Sequence, residues 1–286
     1  MKVGLAGTGL KGKPMALKIQ KAGFDITVYN RTITKTKELE NEGIKVAQTF
    51  SELLKNSDVI VVMLSDYSAI TNIFFSEKVS FEGKVIVQMS TISPKESILL
   101  QQRVSKLGGN YFEAPVLGSI QQIEEEKLIV LVGGTKHDKD VYSKLFESFS
   151  NKIVYIGEVG KASAIKLALN QLIATETAAF AMSLGYLRER NVDVDMFMDI
   201  LKGSALYAPT FEKKLTNYLS RDFNNPNFPL KHLLKDVKLM VSQFHQEGID
   251  TQTLEGVEAV IKKGLEEKLG EKDYSSLYNI IHPKRD

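Results

Sequence analysis

Two groups of residues in this sequence have the types and spacing that chemistry needs. The first is Gly7-Thr8-Gly9-Leu10-Lys11-Gly12. In such a turn Gly7 permits a sharp change of direction, Gly9 lets the backbone approach a pyrophosphate, and Gly12 allows a helix to pack closely on the preceding strand. The N–H groups that open that helix then face the phosphates. An NAD site usually carries Asp or Glu about 20 residues further on, to grip the ribose 2′-hydroxyl. This chain has Asn30-Arg31-Thr32 instead. Asn30 has no charge to repel a 2′-phosphate, Arg31 can pair with one through its guanidinium fork, and Thr32 can donate a hydrogen bond. Lys35 and Lys37 add positive charge. The turn and this loop together predict NADP(H) as cofactor.

The second group lies between Gly160 and Asn170, where Lys166 and Asn170 stand four residues apart and so share one face of a helix. The surrounding helix is otherwise apolar. A lysine there must snorkel to water, pair, or face a polar cleft. A partly desolvated lysine also shifts its pKa easily, which suits a proton donor. The residues alone leave both readings of Lys166 open, the snorkelling lysine and the proton donor.

The elements that must carry these residues are legible in the same sequence. Continuous apolar runs at Val3 to Ala6, Ile26 to Tyr29, Val59 to Leu64, Val85 to Met89 and Leu128 to Val132 read as strands of a parallel sheet buried on both faces, and Lys152 to Gly157 as its last strand. Helices are predicted between them at Pro14 to Ala22 and Ser51 to Lys55, and another starts at Pro94 with Ser93 as N-cap. Beyond the sheet the pattern is helical, over Ala162 to Arg190, Val194 to Lys202, Phe211 to Leu219, Leu230 to Glu247 and Leu254 to Lys268, with a loop at Asp222 to Pro229. The fold class that follows is an α/β Rossmann-type, doubly wound N-terminal domain over residues 1–161. An all-α C-terminal domain for substrate and oligomerisation over 162–286 is joined to it by a long helix.

Composition narrows the function classes. The chain has 286 residues, 43% hydrophobic and 25% charged, with 37 basic against 35 acidic side chains and a formal charge of +2. That balance gives no reason to expect a nucleic-acid or membrane partner. With no cysteine, disulfides, thiolate metal sites and cysteine nucleophiles are excluded. The opening Met1-Lys2-Val3-Gly4-Leu5-Ala6 does not read as a signal peptide, and a cytoplasmic location is expected. Leu167 to Leu187 is apolar but carries Asn170, Gln171, Thr175, Glu176 and Thr177, so it reads as a buried helix rather than a membrane span. His137, His232, His245 and His282 lack metal-ligand spacing, and no metal is expected. Glu124-Glu125-Glu126 reads as a solvated turn or helix start, and Pro283 to Asp286 as a frayed tail.

Four ordered motifs resemble the β-hydroxyacid dehydrogenase family, the group of 3-hydroxyisobutyrate dehydrogenases and glyoxylate/succinic semialdehyde reductases. They are the glycine turn, Glu113-Ala114-Pro115-Val116-Leu117-Gly118-Ser119, Gly160 through Asn170, and Phe228-Pro229-Leu230-Lys231-His232-Leu233-Leu234-Lys235-Asp236. The resemblance implies an active site in the cleft between the two domains and hydride transfer between the cofactor and a small carboxylate-bearing aldehyde or hydroxyacid. It makes Lys166 the catalytic lysine, with Asn170 beside it holding substrate and lysine. Met63, Leu64, Thr91 and Lys235 become cofactor contacts, joining Gly7, Thr8, Gly9, Leu10, Gly12, Asn30, Arg31 and Thr32. Asp236 becomes an adjoining active-site aspartate. Phe228 and the Asn-Arg-Thr loop look most like the glyoxylate/succinic semialdehyde reductase branch.

One residue departs from that branch: Leu117 stands where a serine usually places its hydroxyl near the substrate carboxylate. Gly118 and Ser119 remain to offer N–H groups and a hydroxyl there. Two other functions stay in play, an imine reductase and a non-catalytic NADP-binding sensor or scaffold. Imine-reducing relatives generally replace the catalytic lysine, which this chain retains. The long apolar helix and its neighbours are also expected to form a subunit interface, of a homodimer or homotetramer.

Overall fold

The β-branched runs of the first half pair side by side because each is apolar on both faces and must be covered on both. The computed structural model describes residues 1–75 and 79–284; Arg285 and Asp286, the end of the tail expected to fray, lie outside the described residues. Among the described residues nine strands form one sheet: β1 (Lys2–Ala6), β2 (Asp25–Tyr29), β3 (Lys45–Val46), β4 (Val59–Val62), β5 (Val85–Gln88), β6 (Asn110–Glu113), β7 (Val116–Leu117), β8 (Leu128–Gly133) and β9 (Ser150–Gly157). Their order is β3-β2-β1-β4-β5-β6-β8-β7, with β9 also paired to β8. The six strands from β3 to β6 are parallel, and β1 sits between β2 and β4. Strand order therefore reverses beside β1, the place where a doubly wound sheet opens a crevice at its carboxyl ends.

The sheet separates two packed layers. Val3, Leu5, Val59, Val61 and Val87 face one layer with Met15, Ile19 and Leu39. Ala6, Ile60, Val62 and Ile86 face the other with Phe50, Phe74 and Phe81. Alternate side chains of one strand thus serve opposite layers, as the pleat requires. The helix Pro94–Lys106 begins on a full capping box: Ser93 Oγ accepts from Glu96 N–H at 3.2 Å, and Glu96 Oε2 accepts from Ser93 N–H at 2.8 Å.

The sheet differs from the expected all-parallel one at its far end. β8 runs antiparallel to both β6 and β7, and parallel only to β9. β6 and β7 were not foreseen, because Asn110-Tyr-Phe-Glu113 carries polar residues at both ends and β7 is two residues long. Glu124 closes the short helix Ile120–Glu124 rather than starting one, and Glu126 turns back with a positive φ and pairs with Lys18 at 2.7 Å.

The chain forms two compact units, Met1–Lys166 and Leu167–Asp286. The helix Lys161–Glu189 starts in the first unit and continues through the second, 29 residues or about 44 Å at 1.5 Å per residue. The second unit adds helices Val194–Lys202, Pro209–Ser220, Leu230–Gln246 and Gln252–Glu266 around a core that includes Phe180, Leu184, Tyr218, Leu233, Val237 and Tyr278. A buried ion pair fixes its long loop. Lys214 Nζ donates to both oxygens of Asp273 at 2.8 Å, and Asp273 also accepts from Asn227 N–H and Ser275. Among the described residues no helix is long and apolar enough to cross a membrane.

Candidate active site

The glycine turn follows β1 directly, and its shape is forced by steric contacts. Gly7 has φ +103°, and a Cβ there would lie 2.3 Å from Met63 O. A Cβ on Gly12 would lie 1.8 Å from Gly7 O. Around Gly9 a Cβ would meet nothing within 4 Å, so its backbone is open to an approaching group. Lys13 N–H bonds Gly9 O at 3.0 Å, so the first turn of the helix begins directly at the glycine turn, with its N-terminal end toward it. The turn is therefore shaped to take the pyrophosphate of a dinucleotide. Leu10 is exposed on its outer side.

Asn30 braces this turn from the end of β2. Its Oδ1 accepts from Thr8 N–H at 3.4 Å and its Nδ2 donates to Thr32 O at 2.9 Å. Thr8 Oγ1 donates in turn to Lys35 O at 3.2 Å. Arg31, Thr32 and Lys35 are exposed on this loop. Met63 and Leu64 follow β4, and Leu64 N–H donates to Ser90 Oγ at 2.8 Å. Ser90 and half-buried Thr91 follow β5. The ends of β1, β2, β4 and β5 thus assemble the expected cofactor residues of this unit along one edge of the sheet.

The second motif reaches the same turn by a contact that sequence reasoning missed: Lys11 Nζ donates to Gly118 O at 2.9 Å. Leu117 is half-buried and faces Ile129 across the β7–β8 pair. Gly118 has φ +135°, which a side chain would strain. Ser119 opens the short helix that follows this motif. Its N–H (2.8 Å) and its hydroxyl both turn to Gln122 Oε1, because the residue caps the helix Ile120–Glu124. Both donors of Ser119 are thus directed at Gln122.

Lys166, the last residue of the first unit, is 6% exposed. Asn170, one helical turn on, is 5% exposed and belongs to the second unit. There Asn170 Nδ2 donates to Asp236 Oδ2 at 2.8 Å, and Lys235 Nζ lies 2.6 Å from Asp236 Oδ1. Phe228 packs against His232 and Tyr274 at centroid distances of 6.3 and 6.0 Å. Burial, followed by the neighbouring charges of Lys231 and Lys235, lowers the His232 pKa. Three residues from the fourth motif, Lys235, Asp236 and Phe228, therefore sit in one unit with Asn170.

The domain models of known proteins agree with this architecture. Residues 2–157 match the NAD-binding domain of 6-phosphogluconate dehydrogenase, and residues 160–281 match the NAD-binding domain of NADP-dependent 3-hydroxyisobutyrate dehydrogenase. The chain belongs to the β-hydroxyacid dehydrogenase family. It is 29% identical to glyoxylate/succinic semialdehyde reductase 1 of Arabidopsis thaliana over 290 residues, covering 100% of both chains. Among solved structures it is similar to 3-hydroxyisobutyrate dehydrogenase of Mycobacterium tuberculosis with L-serine, at a TM-score of 0.86 and 18% identity over 97% of this chain and 98% of that one. It is also similar to a reductive aminase of Aspergillus terreus with NADPH and ethyl levulinate, at a TM-score of 0.67 and 23% identity over 97% and 98%. A nicotinamide cofactor and small hydroxyacid or semialdehyde substrates are thus properties of this family.

Glu113, the first residue of the second motif, has a structural part that its sequence did not announce. It is fully buried at the end of β6. Its Oε1 accepts from the N–H groups of Gly160, Ala162 and Ser163 at 2.8, 2.9 and 3.0 Å, and its Oε2 accepts from Ser163 Oγ at 2.6 Å. The start of the helix that carries Lys166 is capped from 47 residues away. No local sequence signal could have announced it.

Proposed function

We propose that this family member is an NADPH-dependent reductase of small aldehyde acids, such as glyoxylate or succinic semialdehyde, with Lys166 as general acid/base. The observation that carries the reading is the buried lysine one helical turn before Asn170, which is itself bonded to Asp236. A carbonyl oxygen being reduced develops negative charge, which a lysine ammonium held at that oxygen stabilises. The relative from Arabidopsis thaliana named for these two substrates supports the substrate class.

Gly7, Thr8, Gly9, Leu10 and Gly12 would hold the pyrophosphate, and Met63, Leu64, Thr91 and Lys235 would line the rest of the cofactor. Arg31 and Thr32 would take a 2′-phosphate, with Asn30 keeping the loop in place from below. When bound, the nicotinamide supplies the hydride. Lys166 stabilises the forming alkoxide and donates its proton at that oxygen. Asn170 holds the substrate, and Asp236 fixes the Asn170 amide with Nδ2 as donor to the carboxylate. Leu117, Gly118 and Phe228 border the substrate, and the apolar Leu117 favours one bulkier or less polar than glyoxylate. The N-terminal domain, 1–161, would bind the cofactor and the helical domain, 162–286, would serve substrate and oligomerisation. Support for a homodimer or homotetramer comes from apolar side chains left exposed in the second unit, Met182, Tyr186, Met196, Ile200 and Leu206. A cytoplasmic location belongs to the same reading.

Imine reduction is the second reading, favoured by the likeness to the reductive aminase. The experiment that decides is NADPH and NADH consumption against glyoxylate, succinic semialdehyde, bulkier aldehyde acids and a cyclic imine. Turnover of the aldehyde acids with NADPH supports the proposal. Turnover of the imine alone, or NADH serving as well as NADPH, overturns it.

A further inference from the structure

We infer that Glu113 is the positioning residue of Lys166, and that Gly133 is a glycine in order to let it act. The inference rests on the reading of Lys166 as the proton donor. A helix begins with N–H groups that have no carbonyl one turn back, and they must be bonded by something else. Near the start of Lys161–Glu189 there is no Ser, Thr, Asp or Asn before Lys161 to serve: the preceding residues are Glu158, Val159 and Gly160. The Glu113 carboxylate takes that place from a neighbouring strand, with three backbone donors on one oxygen and the Ser163 hydroxyl on the other. Among the described residues it forms no ion pair with any Lys or Arg, and its hydrogen bonds run to the helix end.

The placement is specific to Lys166. Residues three and four apart share a helix face, so Lys166 stands directly above Ser163 and Ala162, two of the three residues whose N–H groups Glu113 holds. Both the height of that helix above the sheet and its rotation are set in the turn beneath the ammonium. The sheet register explains the rest. Gly133 is the antiparallel partner of Glu113, and a Cβ there would lie 2.5 Å from Glu113 Oε1 and 3.0 Å from Ala162 Cβ. Any side chain at 133 must move the carboxylate or the helix. Glu113, Gly133 and Ser163 form one lock around the base of the catalytic helix.

The test compares four variants of the full-length protein: Glu113→Gln, Glu113→Asp, Gly133→Ala and, as reference, Lys166→Ala. Each is followed by thermal unfolding, NADPH titration, amide exchange of the peptide spanning residues 158–168, and single-turnover hydride transfer to the best aldehyde acid. Glu113→Gln keeps the acceptor for the three N–H groups and can turn its amide N–H to Ser163 Oγ, so it should stay within about threefold of the parent rate. Glu113→Asp is one methylene too short, and Gly133→Ala displaces the carboxylate. Both should slow hydride transfer on the order of 10²-fold, the effect of misplacing a catalytic group by about 1 Å. Their NADPH affinity should stay within about twofold of the parent, because the glycine turn is untouched. Exchange in residues 158–168 should rise in both.

Parent rates in folded Glu113→Asp and Gly133→Ala would overturn the inference, as would a Glu113→Gln protein as slow as Glu113→Asp. If Gly133→Ala does not fold, the Asp and Gln pair decides alone. A Lys166→Ala protein with parent turnover would strike the reading of Lys166 itself, whereas a slow Lys166→Ala beside unaffected Glu113→Asp strikes only the positioning role.

Discussion

At the scale of single residues, the chemistry of this chain concentrates on side chains whose surroundings give them one job. Lys166 is buried, and under the proposed mechanism its charge serves the oxygen as it becomes negative. Lys166→Ala should lower turnover on the order of 10²-fold or more with NADPH affinity little changed, as read by steady-state kinetics and fluorescence titration. Arg31 is exposed. Arg31→Ala should weaken NADPH binding by about 10- to 100-fold, the loss of a charge-assisted contact, while NADH binding barely changes. Isothermal titration with both cofactors checks this, and equal losses for the two would refute a 2′-phosphate role. His232 carries a pH consequence. Its folded pKa is lowered by burial against Phe228 and by the two lysines, so the unfolded chain takes up a proton first as pH falls below about 6.5, and stability declines with acidification from there. Melting curves between about pH 7 and pH 5 should be flatter for His232→Asn than for the parent.

At the scale of elements, polar groups distant in sequence hold helices and loops at defined heights. Glu113 caps the long helix, and the Lys214–Asp273 pair ties the helix Pro209–Ser220 to the turn after Gly270, both partners being at most 5% exposed. A buried pair is of little net value when intact, but removing one partner strands the other. Asp273→Ala should therefore destabilise the helical unit by about 3–5 kcal/mol, measured by urea unfolding, and a change below about 1 kcal/mol would show that Lys214 finds water instead. The mixed end of the sheet belongs to this scale as well. The short β7 hairpins back onto β8, which turns the sheet antiparallel there and brings Gly133 opposite Glu113. Elements predicted from apolar periodicity were found within two or three residues of their ends, such as Val194–Lys202 and Leu230–Gln246. Those missed, β3 and β6 among them, are short or bear polar residues that only tertiary pairing accommodates.

At the scale of the whole molecule, binding of a dinucleotide to the folded chain alone should raise stability by mass action. At an NADPH concentration about 100 times its dissociation constant the gain is about 2.7 kcal/mol, and thermal unfolding with and without NADPH measures it; no shift at saturating cofactor would count against the glycine turn as a binding site. The sequence by itself determined the glycine turn, the charge of the loop after β2, the change from sheet to helix and the pairing of Lys166 with Asn170 on one helix face. These are local properties, set by φ freedom, by charge and by the 3.6-residue period. The tertiary structure alone decided which distant groups complete them. Only the folded chain brings Glu113 to the N–H groups of Gly160, Ala162 and Ser163, Lys11 to Gly118, Asn170 to Asp236, and Ser119 to Gln122. Such bonds are fixed by strand order and register, which a single sequence encodes in its packing as a whole and not in any one motif.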